Sequence, residues 1–343
     1  MIGGDYIPIQ TMLKNPVKDV KTSLDKIFNL KGIGCDIIRI TVPDQESALY
    51  IKEVVKESPI PIVADIHFDY KLAIAAIEAG VCKVRINPGN IGNEEKVKKV
   101  IDCLKERRIP VRIGINGGSL PIHLKEKYGN DTIKIMLEAA KEEMNYFEKY
   151  GYDQIILSFK SSDTMETIKV NKIAKKEFGT LLHIGVTEAG DLQDGTIKNA
   201  IGISNLLLEG AGDTIRVSLT SKEEDEIIVG KKILESIGKR KADIEIVSCP
   251  TCGRTEANIQ NIVSELKKHI QNTKNLKTVK PLKISVMGCI VNGPGEAEKS
   301  DFGVACGKDN SILFIAGKKI KTVKNRAIFD ELLLILEDYY VKD

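Results

Sequence analysis

A strand–helix unit that repeats eight times constrains the fold of this chain more than any other feature. The predicted strands are residues 6–12, 36–42, 60–66, 82–87, 109–116, 154–160, 181–188 and 213–219. They are nearly continuous apolar runs, which is typical of parallel strands buried on both faces. The alternation predicts an α/β fold, a TIM-type (β/α)8 barrel. A doubly wound open sheet is the alternative, but no strand is followed by the Gly-x-Gly-x-x-Gly turn common in that class.

The pattern changes after a further helix predicted at residues 223–237. Strands are predicted at 243–248 and 283–287 and a strand or hairpin at 311–319, with helices at 256–272 and 326–340. This succession is typical of a small α+β module. We therefore expect a substrate-binding barrel over residues 1–238 and a second domain over residues 239–343.

Composition excludes several classes of protein. The chain has 51 basic and 48 acidic residues and a net charge of +3, which gives no basis for bulk nucleic-acid binding. It contains no run of 18 or more apolar residues and no secretory signal pattern, so we expect a cytoplasmic protein without a membrane segment. An odd number of cysteines, seven, argues against a disulfide framework.

Basic residues recur near the ends of the predicted barrel strands. They are Arg39, Arg85, Arg112, Lys160 and Arg216. In a barrel these side chains would converge on one cavity, where like charges repel unless an anion such as a diphosphate lies among them. The alternative is that each arginine pairs with a local carboxylate, for example Arg39 with Asp36 or Arg216 with Asp213.

Other polar residues follow the same strands. Asp65 and His67 end the third strand, and Glu188 ends the seventh. A carboxylate such as Glu188 among cations could donate a proton or clamp the substrate, whereas His67 and His183 could equally be core residues. The glycine-rich turns at 87–92 and 116–119 could add backbone N–H donors.

The second module carries a cysteine pattern. Cys249 and Cys252 form a Cys-x-x-Cys turn, and Cys289 follows another predicted strand. Three thiolates could bind three irons of a cubane, leaving the fourth iron to another ligand. The alternatives are a redox disulfide or a zinc site, which would need a fourth ligand such as Cys306.

These residues give the chain a specific resemblance. Segments 63–70, 85–93, 187–190, 216–219, 249–254 and 289–297 resemble the 4-hydroxy-3-methylbut-2-enyl diphosphate synthases in their short bacterial form. The resemblance implies a [4Fe–4S] cluster held by Cys249, Cys252, Cys289 and Glu296. It also implies a cyclodiphosphate substrate held by Arg39, Arg85, Arg112, Lys160 and Arg216, with Asn116 and Ser218 as further contacts.

The implied reaction is a two-electron reductive opening of 2-C-methyl-D-erythritol 2,4-cyclodiphosphate. Reduced flavodoxin or ferredoxin would supply the electrons, and the catalytic candidates are Asp65, His67, Glu188 and Glu296. Members of the family are homodimers in which the cluster domain of one chain faces the barrel of the other. Two rivals, a Schiff-base aldolase using Lys160 and a zinc-stabilised phosphate-binding module, explain less of the sequence.

Overall fold

The computed structural model describes residues 3–14, 19–86, 91, 93–273, 278–291 and 293–340. The chain divides into two compact units, Met1–Arg240 and Lys241–Asp343. No helix among the described residues is both long and apolar enough to cross a membrane. Most of the predicted turn at 87–92 lies outside the described residues.

The first unit is a parallel barrel, which confirms the predicted fold. Its strands lie in sequence order around the sheet, and a parallel bridge between Ile9 and Ile215 joins the last strand to the first. The strands are β1 (Gln10–Met12), β2 (Ile37–Thr41), β3 (Ile62–Asp65), β4 (Lys83–Ile86), β5 (Val111–Asn116), β6 (Ile155–Lys160), β7 (Leu181–Ile184) and β8 (Thr214–Ile215).

Helices connect the strands and cover the barrel. They are α1 (Val20–Gly32), α2 (Gln45–Glu57), α3 (Tyr70–Glu78), α4 (Glu94–Arg107), α5 (Ile122–Tyr128), α6 (Thr132–Lys149), α7 (Thr164–Phe178), α8 (Leu192–Leu208) and α9 (Glu223–Ser236). Many begin after an aspartate whose carboxylate accepts a backbone N–H of the first turn, as Asp69 does for α3 and Asp163 for α7. The short helix α5 was not predicted.

The predicted seventh and eighth strands were too long. β7 ends at Ile184 and β8 contains only Thr214 and Ile215. Gly185 has a φ of +154°, and a Cβ there would lie 2.1 Å from the carbonyl oxygen of Arg216. Only glycine therefore permits the segments that follow β7 and β8 to approach each other so closely. The residues that follow Ile184 and Ile215 therefore form loops at the barrel rim.

Side chains alternate between the two faces of each strand. On β4, Val84 and Ile86 belong to the apolar core between barrel and helices, whereas Lys83 and Arg85 lie on the opposite face, toward the barrel interior. The interior is consequently polar, while the core between the sheet and the helices is apolar.

The second unit contains a mixed five-stranded sheet. Its strands are β9 (Ile244–Ser248), β10 (Leu282–Met287), β11 (Phe302–Ala305), β12 (Asn310–Ile315) and β13 (Lys318–Lys324), in the order β13-β12-β11-β10-β9. The first three run parallel, and the predicted strand or hairpin is the antiparallel hairpin of β12 and β13. The helices are α10 (Ile259–Asn272), α11 (Gly293–Glu298) and α12 (Ile328–Glu337); β11 and α11 were not predicted.

A glycine in β11 allows the parallel sheet to form beside β10. Gly303 pairs with Ser285, and a Cβ at Gly303 would lie 2.3 Å from the backbone oxygen of Ser285.

We predict that Gly303→Ala lowers the free energy of unfolding of the second unit by about 1–3 kcal/mol, because the strands must separate. Hydrogen exchange in β10 and β11 during urea denaturation measures this, with Gly253→Ala, which has free space around it, as control. Equal protection in both variants would contradict the prediction.

Candidate active site

The barrel interior holds a cluster of buried basic side chains. Its members, which we call the cation cluster, are Arg39 on β2, Arg85 on β4, Arg112 on β5, Lys160 on β6 and Arg216 just after β8. Arg85, Arg112 and Lys160 are buried, and the side chains of Arg39 and Arg216 are 14% exposed. The five basic positions proposed from the sequence therefore share one interior.

Asp65, at the end of β3, is the carboxylate that holds two members of the cation cluster. Its oxygens lie 3.2 Å from Nη2 of Arg39 and 3.2 Å from Nη1 of Arg85. Burial alone would raise the pKa of Asp65, but contact with His67 and the surrounding guanidinium groups holds that pKa well below its usual range. Asp65 is therefore an ionised anchor for two guanidinium groups and is poorly suited to donate a proton.

The local ion pairs considered from the sequence do not form. Asp36 binds Arg240, with its carboxylate 3.0 Å from the guanidinium, and Asp213 accepts the backbone N–H of Leu182. Arg216 instead approaches Glu226 of α9 at 3.5 Å. The alternative of local pairing is therefore wrong for Arg39 and Arg216, whose partners are Asp65 and Glu226.

Lys160 and His183 form a buried polar chain beneath the rim. Nζ of Lys160 lies 3.5 Å from Nε2 of His183, and Nδ1 of His183 lies 2.7 Å from Oγ1 of Thr214. Burial, and then the repulsion from Lys160, lower the pKa of His183 well below its usual value. His183 is therefore a neutral ring whose Nε2 can accept from the ammonium, leaving Nδ1–H to donate to Thr214.

Several donors in the cation cluster have no acceptor among the described residues. They are Nε of Arg85, Nε and Nη1 of Arg112, and Nε of Arg216. The hydroxyl of Ser218, a predicted contact, is also buried and unpartnered within the described chain. Buried donors are nearly always satisfied, so this arrangement fits an oxyanion ligand that accepts from several of them at once.

Crowding of like charges supports the same conclusion. Burial, followed by repulsion from Arg39 and Arg85, lowers the pKa of Arg112 well below its usual value. Burial also lowers the pKa of Lys160, with Arg216 as the next cause. A bound anion would relieve this repulsion.

The remaining barrel candidates lie at the rim. His67 is partly exposed, with Nε2 2.9 Å from Nη1 of Arg85, and Asn116 ends β5 beside Lys160 of β6. Glu188 is exposed in the loop after β7. Phe68 and Glu188 both have positive φ angles, 67° and 51°, which are uncommon for residues with side chains and often occur at functional sites.

The sequence analysis did not single out Glu226 or Lys83. Glu226 accepts the backbone N–H of Leu219 and the hydroxyl of Thr11 in addition to approaching Arg216. Lys83 is buried on the interior face of β4. Its position two residues before Arg85 was the available signal, because residues i and i+2 of a strand share a face.

The cysteines of the second unit follow its parallel strands. Cys249 comes directly after β9, and Cys289 follows β10 by one glycine. That glycine, Gly288, donates its N–H to Sγ of Cys249 at 3.2 Å, and a Cβ on it would meet both this sulfur and Thr255. Thr255 in turn accepts the N–H of Cys252 at 2.9 Å, so Gly288 links the Cys-x-x-Cys turn to the segment that carries Cys289.

Glu296 and Cys306 lie near the same edge of the sheet. Glu296 belongs to α11, whose Gly293 packs so closely on Ala305 that a Cβ there would lie 2.2 Å from that of Ala305. Cys306 follows β11 and is fully buried. Burial raises the pKa of its thiol, and the nearby thiols of Cys249 and Cys289 raise it further, so Cys306 remains protonated.

The donor set fits an iron–sulfur cluster in its chemistry. All seven cysteines are free thiols, and soft thiolates are the ligands that such clusters prefer. No three His, Cys, Asp or Glu side chains of the described residues are grouped so as to hold a single metal ion. A cluster contains several iron atoms, so its ligands lie around the cluster and do not all converge on one point.

The fold and the site thus define a TIM-barrel protein with a cluster of buried cations in its interior and a separate cysteine-bearing α+β unit. The chain belongs to the GcpE family: the GcpE TIM-barrel domain matches residues 1–231 and the GcpE protein C-terminal domain matches residues 245–338. The family resemblance inferred from the sequence is confirmed.

Curated relatives cover nearly the whole chain. One from Caldanaerobacter subterraneus is 47% identical over 98% of this chain and 93% of its own length. Another, from Clostridium perfringens, is 47% identical over 98% and 95%. Both are named 4-hydroxy-3-methylbut-2-en-1-yl diphosphate synthase (flavodoxin). Among solved structures, a dihydropteroate synthase from Coxiella burnetii aligns with a TM-score of 0.49 and 12% identity over 69% of this chain and 95% of that chain.

Gly114 on β5 leaves room for the guanidinium of Arg85. A Cβ on Gly114 would lie 2.9 Å from Nε and 3.1 Å from Nη2 of Arg85. We predict that Gly114→Ala displaces the guanidinium and weakens binding of inorganic pyrophosphate by about 1.5–3 kcal/mol, the contribution of one charged hydrogen bond. Because the flexible end of the arginine can move, the melting temperature should change little.

Isothermal titration calorimetry with pyrophosphate measures the affinity. Gly118→Ala is the matched control, since no atom lies within 4 Å of a Cβ at that position. Equal affinity in the two variants would show that the position of the Arg85 guanidinium does not matter for anion binding.

Proposed function

We propose that this chain is an oxidoreductase that converts 2-C-methyl-D-erythritol 2,4-cyclodiphosphate into (E)-4-hydroxy-3-methylbut-2-enyl diphosphate. The reaction consumes two electrons and two protons and releases one water. The activity named for the family's curated relatives supports this proposal. The observation in this chain that carries it is the buried cation cluster with unpartnered donors, which suits a ligand with two phosphates.

In this proposal the barrel residues bind and orient the substrate. Arg39 and Arg85, held by Asp65, would bind the phosphate oxygens together with Arg112, Lys160 and Arg216. Asn116 and Ser218 would add neutral hydrogen bonds. The diphosphate stays attached to the product through one ester, so these contacts can persist while the other C–O bond breaks.

Proton transfer belongs to residues at the rim. Glu188 and His67 are our candidates for the donor, because both are accessible to a substrate that is held by the cation cluster. Asp65 is proposed to act in positioning, since its pKa is held low by its contacts. Its catalytic role is thus to keep the two arginines directed at the substrate.

The second unit would hold the cofactor. We propose Cys249, Cys252, Cys289 and Glu296 as ligands of a [4Fe–4S] cluster. When bound, such a cluster supplies electrons singly at low potential. A carboxylate is a harder ligand than a thiolate, and the Gly293-Pro294-Gly295 start of α11 presents Glu296 with a partly exposed side chain.

The partners follow from the same proposal. Reduced flavodoxin is the proposed electron donor, with ferredoxin as the alternative, because the relatives' names specify flavodoxin. We further propose a cytoplasmic homodimer in which the cluster domain of one chain serves the barrel of the other. Seven free thiols are compatible with a reducing compartment.

Metal content tests the cofactor proposal. Protein purified without oxygen should contain about four irons and four sulfides per chain and have a brown colour. Cys289→Ser should lose most of the iron, because one of three thiolate ligands is gone, whereas Cys103→Ser on α4 should keep it. Iron and acid-labile sulfide assays with a visible spectrum measure the outcome.

Cys306→Ala tests whether Glu296 or Cys306 is the fourth ligand of the cluster. Retention of iron in this variant would agree with Glu296 as the fourth ligand, and loss of iron would assign that place to Cys306. Stoichiometric zinc without iron in the folded wild-type protein would contradict the reductive mechanism.

Mixing two inactive variants tests the dimer. Lys160→Ala removes a barrel cation and leaves the cysteines intact, while Cys289→Ser does the reverse. If a site combines the barrel of one chain with the cluster of its partner, hybrid dimers regain one site of two, and an equimolar reassorted mixture recovers about a quarter of wild-type activity. Absence of any recovery, with hybrid formation verified by mass spectrometry, would place both halves of the site in one chain.

A further inference from the structure

Lys83 is a buried lysine that the proposed reaction does not use. It lies on β4 two residues before Arg85, on the same interior face of the barrel and closer to the amino end of the strand. Its side chain is only 1% exposed, and its Nζ has no hydrogen-bond partner among the described residues. A buried ammonium without a partner is strongly unfavourable. The Lys83 side chain is therefore expected either to bind an anionic ligand or to lose its proton.

The groups around Lys83 are mostly positive or neutral. Arg112 of β5 and His183 of β7 interact with it electrostatically, and Cys82 lies directly before β4. On the neighbouring strand β3, Asp65 is already bound by Arg39 and Arg85. The opposite face of β4 is apolar. No carboxylate of the described residues forms an ion pair with Lys83.

Burial is the main cause that lowers the pKa of Lys83 to about 8, and Arg112 lowers it further. The side chain can therefore change charge near physiological pH. Because it lies on the same face as Arg85, its charge state responds to whatever occupies the cation cluster.

We infer that Lys83 is part of the anion site and takes up a proton when a diphosphate binds among the cation cluster. The inference rests on the proposed function for the identity of the anion. Negative charge near Arg85 and Arg112 offsets their repulsion and favours the ammonium form of Lys83. The coupling is reciprocal, so the protonated lysine strengthens anion binding.

The sign of the pH dependence follows directly. The protonated lysine is present before binding below about pH 8, so its contribution to affinity is complete there. That contribution is lost as the pH rises through the higher pKa of the bound state. Each phosphate of the cyclodiphosphate has one ester and one anhydride linkage and therefore a single, strongly acidic oxygen that stays ionised in this range, so any proton uptake belongs to the protein.

Calorimetry on the cluster-loaded protein, without an electron donor, tests this inference. Binding of the cyclodiphosphate at pH 8.5 in two buffers of different ionisation enthalpy gives the number of protons taken up. Wild-type protein should take up protons, and Lys83→Met should take up fewer. At pH 7 we expect the affinity of Lys83→Met to fall about tenfold, and its dependence on pH between 7 and 9.5 to flatten.

Two further variants make the result specific. Lys98→Met changes the net charge equally at an exposed position on α4 and should behave as wild type. Lys83→Arg keeps the charge but cannot titrate, so it should bind the anion with reduced proton uptake. If Lys83→Met takes up as many protons and binds as tightly as the wild type, the inference is wrong. If Lys83→Met does not fold, proton uptake in Lys83→Arg equal to that of the wild type would overturn the inference.

Failure of the proposed function gives a different result. If wild-type protein does not bind the cyclodiphosphate, the substrate is wrong and inorganic sulfate, which also does not titrate in this range, becomes the probe. Proton uptake with sulfate that is reduced in both Lys83 variants would still support the role of Lys83. Equal uptake in wild type and variants would reject it.

Discussion

The ion pair network of Asp65 is the interaction on which the barrel site depends. The buried carboxylate on β3 binds two guanidinium groups from the strands on either side of it, Arg39 on β2 and Arg85 on β4, within a cluster of further cations. Removing one partner of such a network leaves buried charge uncompensated, which is strongly destabilising. Several donors of the remaining cations have no acceptor among the described residues, and this imbalance is the basis on which we propose that the interior binds an anion.

Missing side chains create much of the space that the site needs. Gly114 leaves room for the guanidinium of Arg85, and Gly185 allows the backbone at Arg216 to approach while its position also lies near Lys160. In the second unit, the missing side chain of Gly288 lets its backbone approach Cys249, to whose sulfur it donates its N–H. A Cβ on these glycines would lie 2.9 Å from Nε of Arg85, 3.3 Å from Nζ of Lys160 and 3.1 Å from Sγ of Cys249, so the absence of a side chain at each position helps to shape the site.

Both units use the same structural device. Parallel strands bring together residues that are distant in sequence. The basic residues do so on the interior face of the barrel, and Cys249, Cys289 and Cys306 do so just after β9, β10 and β11. The barrel version gathers positive charge and the sheet version gathers thiols. A cluster of cations and a group of thiols therefore arise from one topological principle applied to different residues.

The sequence by itself determined the barrel, the five basic positions, the cysteine pattern and the family, because hydrophobic period and residue type are local properties. It gave wrong ends for β7 and β8 and missed β11, because those limits depend on a contact between Gly185 and Arg216 and on pairing with β10. Only the tertiary structure decided which carboxylate each arginine binds, Asp65 and Glu226 in place of Asp36 and Asp213. It also revealed that Lys83 is buried, because burial depends on neighbours that lie far away in sequence. That burial in turn lowers the pKa of the lysine.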